Sequence, residues 1–196
     1  MTDQQSATES SNNLVNQWFG ADFARLHPLL QRLHLQGGAL EGDVELTYGR
    51  GLAGLIGRRL GRRLGLPSEP GRVALRVEIG HDAQGLHWNR VFAGSQRMNS
   101  LFTPHGRYPE GHWSETSGPV TLQLGVAITE GGWFWQPRAM RLHGMPLPLL
   151  LLPRSHAYKR IVSGPTGERY QFSVSFNLPL LGQLLGYAGE LEMSAS

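Results

Sequence analysis

The sequence predicts a mainly β domain of the α+β type, an antiparallel meander curled into a barrel-like or half-barrel sheet behind two N-terminal helical segments. Three observations carry that expectation. From Arg72 to Met193 one alternating apolar/polar segment follows another, with no helical period among them. The joints are tight-turn signals such as Asp82-Ala83-Gln84-Gly85 and Glu130-Gly131-Gly132. The 26 glycines and 12 prolines suit a turn-rich β protein better than a helical bundle. A meander of this many strands curls around its own side chains or around a guest.

Residues 1–13 hold no large apolar side chain after Met1 and read as a disordered tail, which leaves 14–196 as a single β-rich domain. From Leu14 to Leu35 the period is helical, with Phe23, Leu26, Leu30 and Leu33 at three- and four-residue steps, Asp22 placed as a cap, and Gly37-Gly38 as the stop. A strand over Leu40–Tyr48 follows, then a second helix over Leu52–Leu64. The apolar line of that helix is Leu52, Ile56, Leu60 and Leu64 with Leu55 beside it, and Gly65 and Pro67 end it. Gly54, Gly57 and Gly61 each weaken it by about 1 kcal/mol relative to alanine. Either another backbone passes close to them or the helix is loosely held. The strands then run through Val73–Ile79, Leu86–Ala93, Met98–Phe102, His112–Thr116, Val120–Ile128, Trp133–Leu142, Tyr158–Val162, Tyr170–Leu178 and Leu185–Met193.

Composition narrows the function. The absence of cysteine removes disulfides, thiolate metal sites and cysteine nucleophiles. The N-terminus has neither the basic nor the apolar region of a signal peptide, so a cytoplasmic location is expected. The densest apolar run, Met145–Pro153, is too short to span a bilayer. Net charge is only +3, and the sole basic cluster, Arg58, Arg59, Arg62 and Arg63, has no aromatics interleaved, which argues against nucleic acid. The Leu52–Leu64 helix, leucines flanked by arginines, fits either a plug at one end of the barrel or peripheral contact with an anionic membrane, and its glycines argue against the second. His27 and His34 share a helix face without a third ligand, so no metal is expected. No dinucleotide, zinc-protease or serine-hydrolase signature occurs, so no cofactor is expected either.

The candidate site rests on strand parity. Trp88, Arg90 and Phe92 share one face, and Trp113 and Glu115 share another. An arginine between two aromatics needs a partner, because an uncompensated buried charge costs several kcal/mol. Glu115 is the first choice. Trp133, Trp135, Arg141 and His143 repeat the texture on a later strand. Core packing with a buried ion pair accounts for these residues; so does a pocket for an apolar or amphipathic, lipid-like molecule with Arg90 as polar anchor. Acid/base chemistry, if present, would recruit Glu115 and His143 beside Arg90.

One ordered set of phrases carries a resemblance. Phe23-Ala-Arg-Leu-His-Pro, Gly65-Leu-Pro, Trp88-x-Arg90-x-Phe92, Gly144-x-Pro146-Leu-Pro148, Leu152-Pro153, Pro179-x-x-Gly182 and Tyr187-x-Gly189-x-Leu191 together resemble an uncharacterised bacterial family, domain of unknown function four-one-six-six. The resemblance covers residue 20 to the C-terminus and brings no activity with it. It implies a domain found alone or behind saccharopine-dehydrogenase-like oxidoreductases, hence an oxidoreductase as a conceivable partner. Without a G-x-G-x-x-G this chain looks like the stand-alone form. At Glu115-Thr116 it departs from the acidic-arginine pair that the resemblance implies, so a charge pair through the second position falls away. The fold expectation is a calycin-resembling barrel or half-barrel, with a helix-grip fold as the alternative. The function expectation is a small-molecule binding domain, with an enzyme or oxidoreductase accessory domain, or a filled-core interaction domain, as rivals.

Overall fold

The computed structural model of the chain describes residues 13–148, 156–164 and 167–194. The expected N-terminal tail, apart from Asn13, lies outside the described residues, as do Leu152-Pro153 and the centre of the turn at Pro165-Thr166. Asn13 caps a short helix, α1 (Leu14–Phe19), by accepting from the Val15 and Asn16 N–H groups at 3.1 Å. A 3₁₀ turn (Gly20–Arg25) and a second helix, α2 (Pro28–Gln36), follow. The single helical period read across Leu14–Leu35 is thus broken: it stops at Gly20, whose φ of 57° ends α1, and resumes at Pro28. Proline cannot donate to a preceding turn but is well placed in the first turn of a new helix. Asp22, expected as a cap, instead pairs with Arg25 at 2.8 Å.

The strands are β1 (Gly38–Tyr48), β2 (Gly71–Asp82), β3 (Gly85–Phe92), β4 (Gln96–His105), β5 (His112–Ser117), β6 (Val120–Thr129), β7 (Gly132–Leu142), the two-residue β8 (Met145–Pro146), β9 (His156–Gly164), β10 (Gly167–Leu178) and β11 (Gly182–Ser194). Apart from β8, an extension paired to β7, the strands close into a ten-stranded antiparallel barrel. The meander pairs neighbours in sequence, β11 returns to β1, and β7 meets β9 over Trp133↔Lys159, Phe134↔Tyr158 and Trp135↔Ala157. Closure leaves no strand edge in the ring, which settles the half-barrel and helix-grip alternatives in favour of the barrel. The chain's described C-terminal element is a strand, not the long helix of a helix-grip fold.

Two helical caps bracket the barrel. The strand directions put α1 and α2, which precede β1, at one end, and put α3 (Gly51–Leu64), which joins β1 to β2, at the other. At the first end Trp18 and Phe19 meet Trp113 and Trp133 edge-on at 5.5 and 4.7 Å between ring centroids. At the other end α3 lies across the start of β11. Its packing face is the glycine face: Ala53, Gly54, Gly57, Gly61 and Leu64 are buried, whereas Leu52 and Leu55 are exposed. A Cβ on Gly57 would lie 1.9 Å from the Leu184 carbonyl oxygen, so only glycine permits this approach. Of the expected line, Leu64 is buried and Ile56 and Leu60 pack against the core, while Leu52 and its neighbour Leu55 stay exposed, because the close backbone approach at the glycines sets which side of the helix faces the barrel. Among the described residues no helix is long and apolar enough to cross a membrane.

One irregularity matters for the site. Between the pairs Gln123↔Ala139 and Leu124↔Pro137 the register of β6 and β7 shifts by one, leaving Arg138 as an extra residue in β7. A bulge of this kind reverses side-chain parity beyond it. Trp133 and Trp135 face the interior before the bulge, and Met140, not Arg141, is buried after it.

Candidate functional site

The barrel encloses a cavity of about 50 Å³ whose wall is largely apolar and includes Trp88, Arg90, Glu115, Trp135, Lys159 and Tyr170. By volume it holds on the order of a few water molecules or a small organic group, and side chains fill most of the remaining interior, apart from a void of about 10 Å³ beside Leu64, Glu115 and Phe176. Two polar constellations, at successive levels along the barrel axis, interrupt the apolar lining.

The first is built by parity on β3, β4 and β5. Arg90 lies between Trp88 and Phe92 on the inward face of β3 and is 5% exposed. Its guanidinium donates to the Ser100 hydroxyl at 2.8 Å, and Ser100 donates to a Glu115 carboxylate oxygen at 2.9 Å. Arg90 and Glu115 approach directly only to 3.9 Å. Ser117 joins the same knot through Ser100 at 2.5 Å and Glu115 at 3.3 Å. The expected charge pair therefore exists, but a serine hydroxyl relays most of it. That geometry neutralises both charges while leaving the face of the guanidinium over the Trp88 ring, 5.5 Å from its centroid.

The second constellation lies towards the α1–α2 end. Lys159, inward-facing on β9, is 2% exposed, with Nζ at 2.5 Å from Nε2 of His34. The Nζ atom also lies 3.8, 4.5 and 5.4 Å from the ring centroids of Trp133, Trp88 and Trp135, an indole box around one amine. His34, on the buried face of α2, is held by Nδ1 against the Leu30 carbonyl at 2.9 Å. That bond requires the proton on Nδ1, so Nε2 is the acceptor and Lys159 the donor. Burial pushes the His34 imidazole well below its ordinary range, and the nearby Lys159 adds to the shift. Burial likewise drives the Lys159 amine well below the usual lysine range, with Arg90 pushing the same way and Glu115 opposing. Tyr170, across the cavity on β10, is held protonated because burial raises its phenol well above the ordinary value.

The expected site residues divide accordingly. Trp88, Arg90, Glu115 and Trp135 line the cavity. Trp133 stands behind it as one side of the lysine box. Trp113 is fully buried against Trp18 and Trp133, and Phe92 packs against Tyr187 at 5.5 Å. Both are core residues away from the cavity wall. Arg141 and His143 are exposed at the opposite end of the barrel from α1 and α2, with His143 in the turn after β7 at a φ of 51°. The bulge at Arg138 is the reason, because it ends the inward parity that joins them to Trp133 and Trp135. His143 and Glu115 therefore share no wall, and acid/base chemistry by that pair is ruled out by placement.

Sequence reading missed Lys159, His34, Ser100, Ser117 and Tyr170. For His34 a signal was present: it follows Leu30 by four residues on the apolar stripe of α2. For Lys159 the signal was compositional. It is the only lysine in a chain with 17 arginines. Among the described residues no group of acidic, histidine or cysteine side chains could hold a metal ion.

No curated protein and no solved structure matches this chain. A family model does, over residues 26–191, which takes in every strand from β1 to β10, most of β11, and both polar constellations. The chain belongs to the family described as Domain of unknown function (DUF4166).

Proposed function

We propose that this domain binds, inside its closed barrel, a small and mainly apolar molecule bearing an oxygen acceptor group. One observation carries the reading. In the wall of an apolar cavity, the indole N–H of Trp88 and the hydroxyl of Tyr170 are buried and have no hydrogen-bond partner among the described residues. Buried donors are normally paired, and leaving one unpaired costs about 1–3 kcal/mol. Lys159 adds further N–H donors on the same wall, with one accepted by His34. A carbonyl or carboxylate oxygen would satisfy such a surplus of donors, and the tryptophans and leucines would enclose a short apolar body. The cavity volume favours a compact guest over a long-chain lipid.

Titration with butyrate, butan-1-ol and butane-1,4-diamine, followed by tryptophan fluorescence and thermal unfolding, tests this. Butyrate is expected to raise the unfolding temperature and perturb the indole emission; the diamine is expected to do neither. Ligand linkage makes the rise grow with the logarithm of concentration above Kd. Trp135→Ala, which opens the wall and one side of the indole box while leaving the hydrogen bonds of Lys159, His34, Arg90 and Glu115 in place, should change the affinity. A flat response to all three compounds would make this a filled-core domain whose role lies on its surface.

A further inference from the structure

Seventeen arginines carry the positive charge of this protein, and the single lysine is sealed inside it. The two cations differ in one property that matters in such a place. Arginine cannot lose its proton in a protein, whereas a desolvated lysine can become a free amine. The interior already holds an arginine, Arg90, with its carboxylate. Lys159 has no carboxylate partner among the described residues; its bonded neighbour is a neutral imidazole acceptor. A position that needed only a cation for packing on indoles would be served by either residue. A position that needs a nucleophilic amine is served by lysine alone.

We propose that Lys159 is a nucleophile that forms an imine with a small apolar aldehyde or ketone bound in the cavity, an inference that rests on the cavity's being a binding site. The Nζ lone pair attacks the carbonyl carbon, forming the C–N bond as the carbonyl π pair moves to oxygen. His34 Nε2, 2.5 Å from Nζ, takes one proton from the attacking nitrogen and returns it to the oxygen, giving a carbinolamine. The hydroxyl then leaves as water with the second nitrogen proton, and the C=N bond forms. One water is released, nothing is oxidised or reduced, and no co-reactant is needed. The Tyr170 hydroxyl, on the same wall and without a hydrogen-bond partner among the described residues, is suited to the developing negative charge on oxygen. Burial and the nearby Arg90 keep the amine less basic than a surface lysine, and His34 rests neutral with Nε2 unprotonated, so it relays the proton without retaining it. The box of Trp88, Trp133 and Trp135 excludes water from the product.

Having one lysine makes the test unambiguous, since the N-terminal amine is the only other primary amine on the chain. The full-length protein is incubated with butanal and cyanoborohydride near neutral pH, and the reduced adduct is located by peptide mass spectrometry. The expected result is one butyl increment on Lys159 that forms faster than the increment on the N-terminus. In Lys159→Met the internal increment should vanish. In His34→Gln it should form on the order of 100-fold more slowly, the span of a positioned proton carrier. Labelling of the N-terminus alone in folded protein, with Lys159 reacting only in urea, would overturn the proposal without needing either variant. Butyrate binding, read by thermal shift on the same sample, separates the two readings. Binding without labelling would refute the imine and leave the binding domain; neither binding nor labelling would refute both.

Discussion

Lys159 Nζ sits 2.5 Å from Nε2 of His34, although 125 residues separate them and one belongs to a capping helix and the other to the barrel wall. The bond ties α2 to β9 at the place where the ring of strands closes on β7.

Replacing Lys159 by methionine should be net stabilising at neutral pH, because folding no longer strips a proton from the amine, although the variant leaves the His34 Nε2 acceptor unpaired at a cost of about 1–3 kcal/mol. The gain should depend on pH. The folded-state value of Lys159 lies well below its ordinary 10.5, so between the two the unfolded chain holds a proton that the folded chain lacks. Stability of the native protein therefore rises with pH across that window, and the advantage of Lys159→Met shrinks as pH approaches 10.5. Arg90, Glu115, His34, His81 and Tyr170 face or couple to the same interior, so the comparison is made between wild type and variant at each pH. Urea unfolding from neutral to alkaline pH measures it, and a variant that is less stable at every pH would contradict it.

Acidification acts through His34. Its folded-state value is held well below 6.5, so under mildly acid conditions the unfolded chain takes up a proton that the buried imidazole refuses. Stability should be level above 6.5 in this group's contribution and fall as pH drops below it. His34→Gln, with an amide in place of the imidazole, should remove this part of the acid sensitivity. Half-buried His81 shifts in the same direction, so His81→Gln is the control that separates the two contributions.

The serine-relayed ion pair should behave as one unit. Arg90→Met leaves Glu115 buried against Ser100 and Ser117 and should cost about 3–5 kcal/mol, as should Glu115→Leu for the opposite reason. The double substitution should cost less than the two single ones added together. Ser100→Ala should be destabilising as well, because Arg90 and Glu115 stand 3.9 Å apart without it. Chemical denaturation of the full cycle reads these values; strict additivity would show that the groups act independently.

Gly57→Ala tests the seating of α3. Alanine should gain about 1 kcal/mol in helix propensity, yet its Cβ would fall 1.9 Å from the Leu184 carbonyl oxygen. Displacing backbone outweighs the propensity gain, so a net loss of about 1–3 kcal/mol is expected, of the size found for overpacked cores. Leu55→Ala, on the exposed face, should stay within about 0.5 kcal/mol of wild type. Thermal unfolding of the two variants side by side distinguishes this seating from one in which Leu52 and Leu55 face inward.

The strands were legible because each apolar/polar alternation is local, and a strand buried on one face records that face in every second residue. Val120 to Ile128 is the clearest case, with every expected inward position buried. Arg90 and Glu115 were also legible, since a charge among aromatics on an inward face has few ways to be satisfied. Parity fails as a guide only where the backbone slips. At Arg138 a single extra residue moves Arg141 and His143 out of the interior, and nothing in the alternation of β7 itself announces the slip. The α3 face was legible only in part, with Ile56, Leu60 and Leu64 packed inward but Leu52 and Leu55 exposed, for a different reason. Leucines at helical spacing outline an apolar stripe, but the glycines allow backbone contact that the stripe does not predict.

The sequence by itself determined that this chain is an antiparallel β domain with helical caps, and which family it resembles, because both depend on local period and on short phrases in a fixed order. Tertiary structure alone decided that the sheet closes, that the cavity is small, and that Lys159 and His34 meet within it. Closure depends on β7 finding β9 and β11 finding β1, pairings between segments distant in the chain. The lysine shows the limit most plainly. Beside Arg160 in sequence it has the look of an exposed charge, and only the barrel's curvature, which gathers Trp88 from β3 and Trp133 and Trp135 from β7 around one inward-facing position, turns it into a desolvated amine.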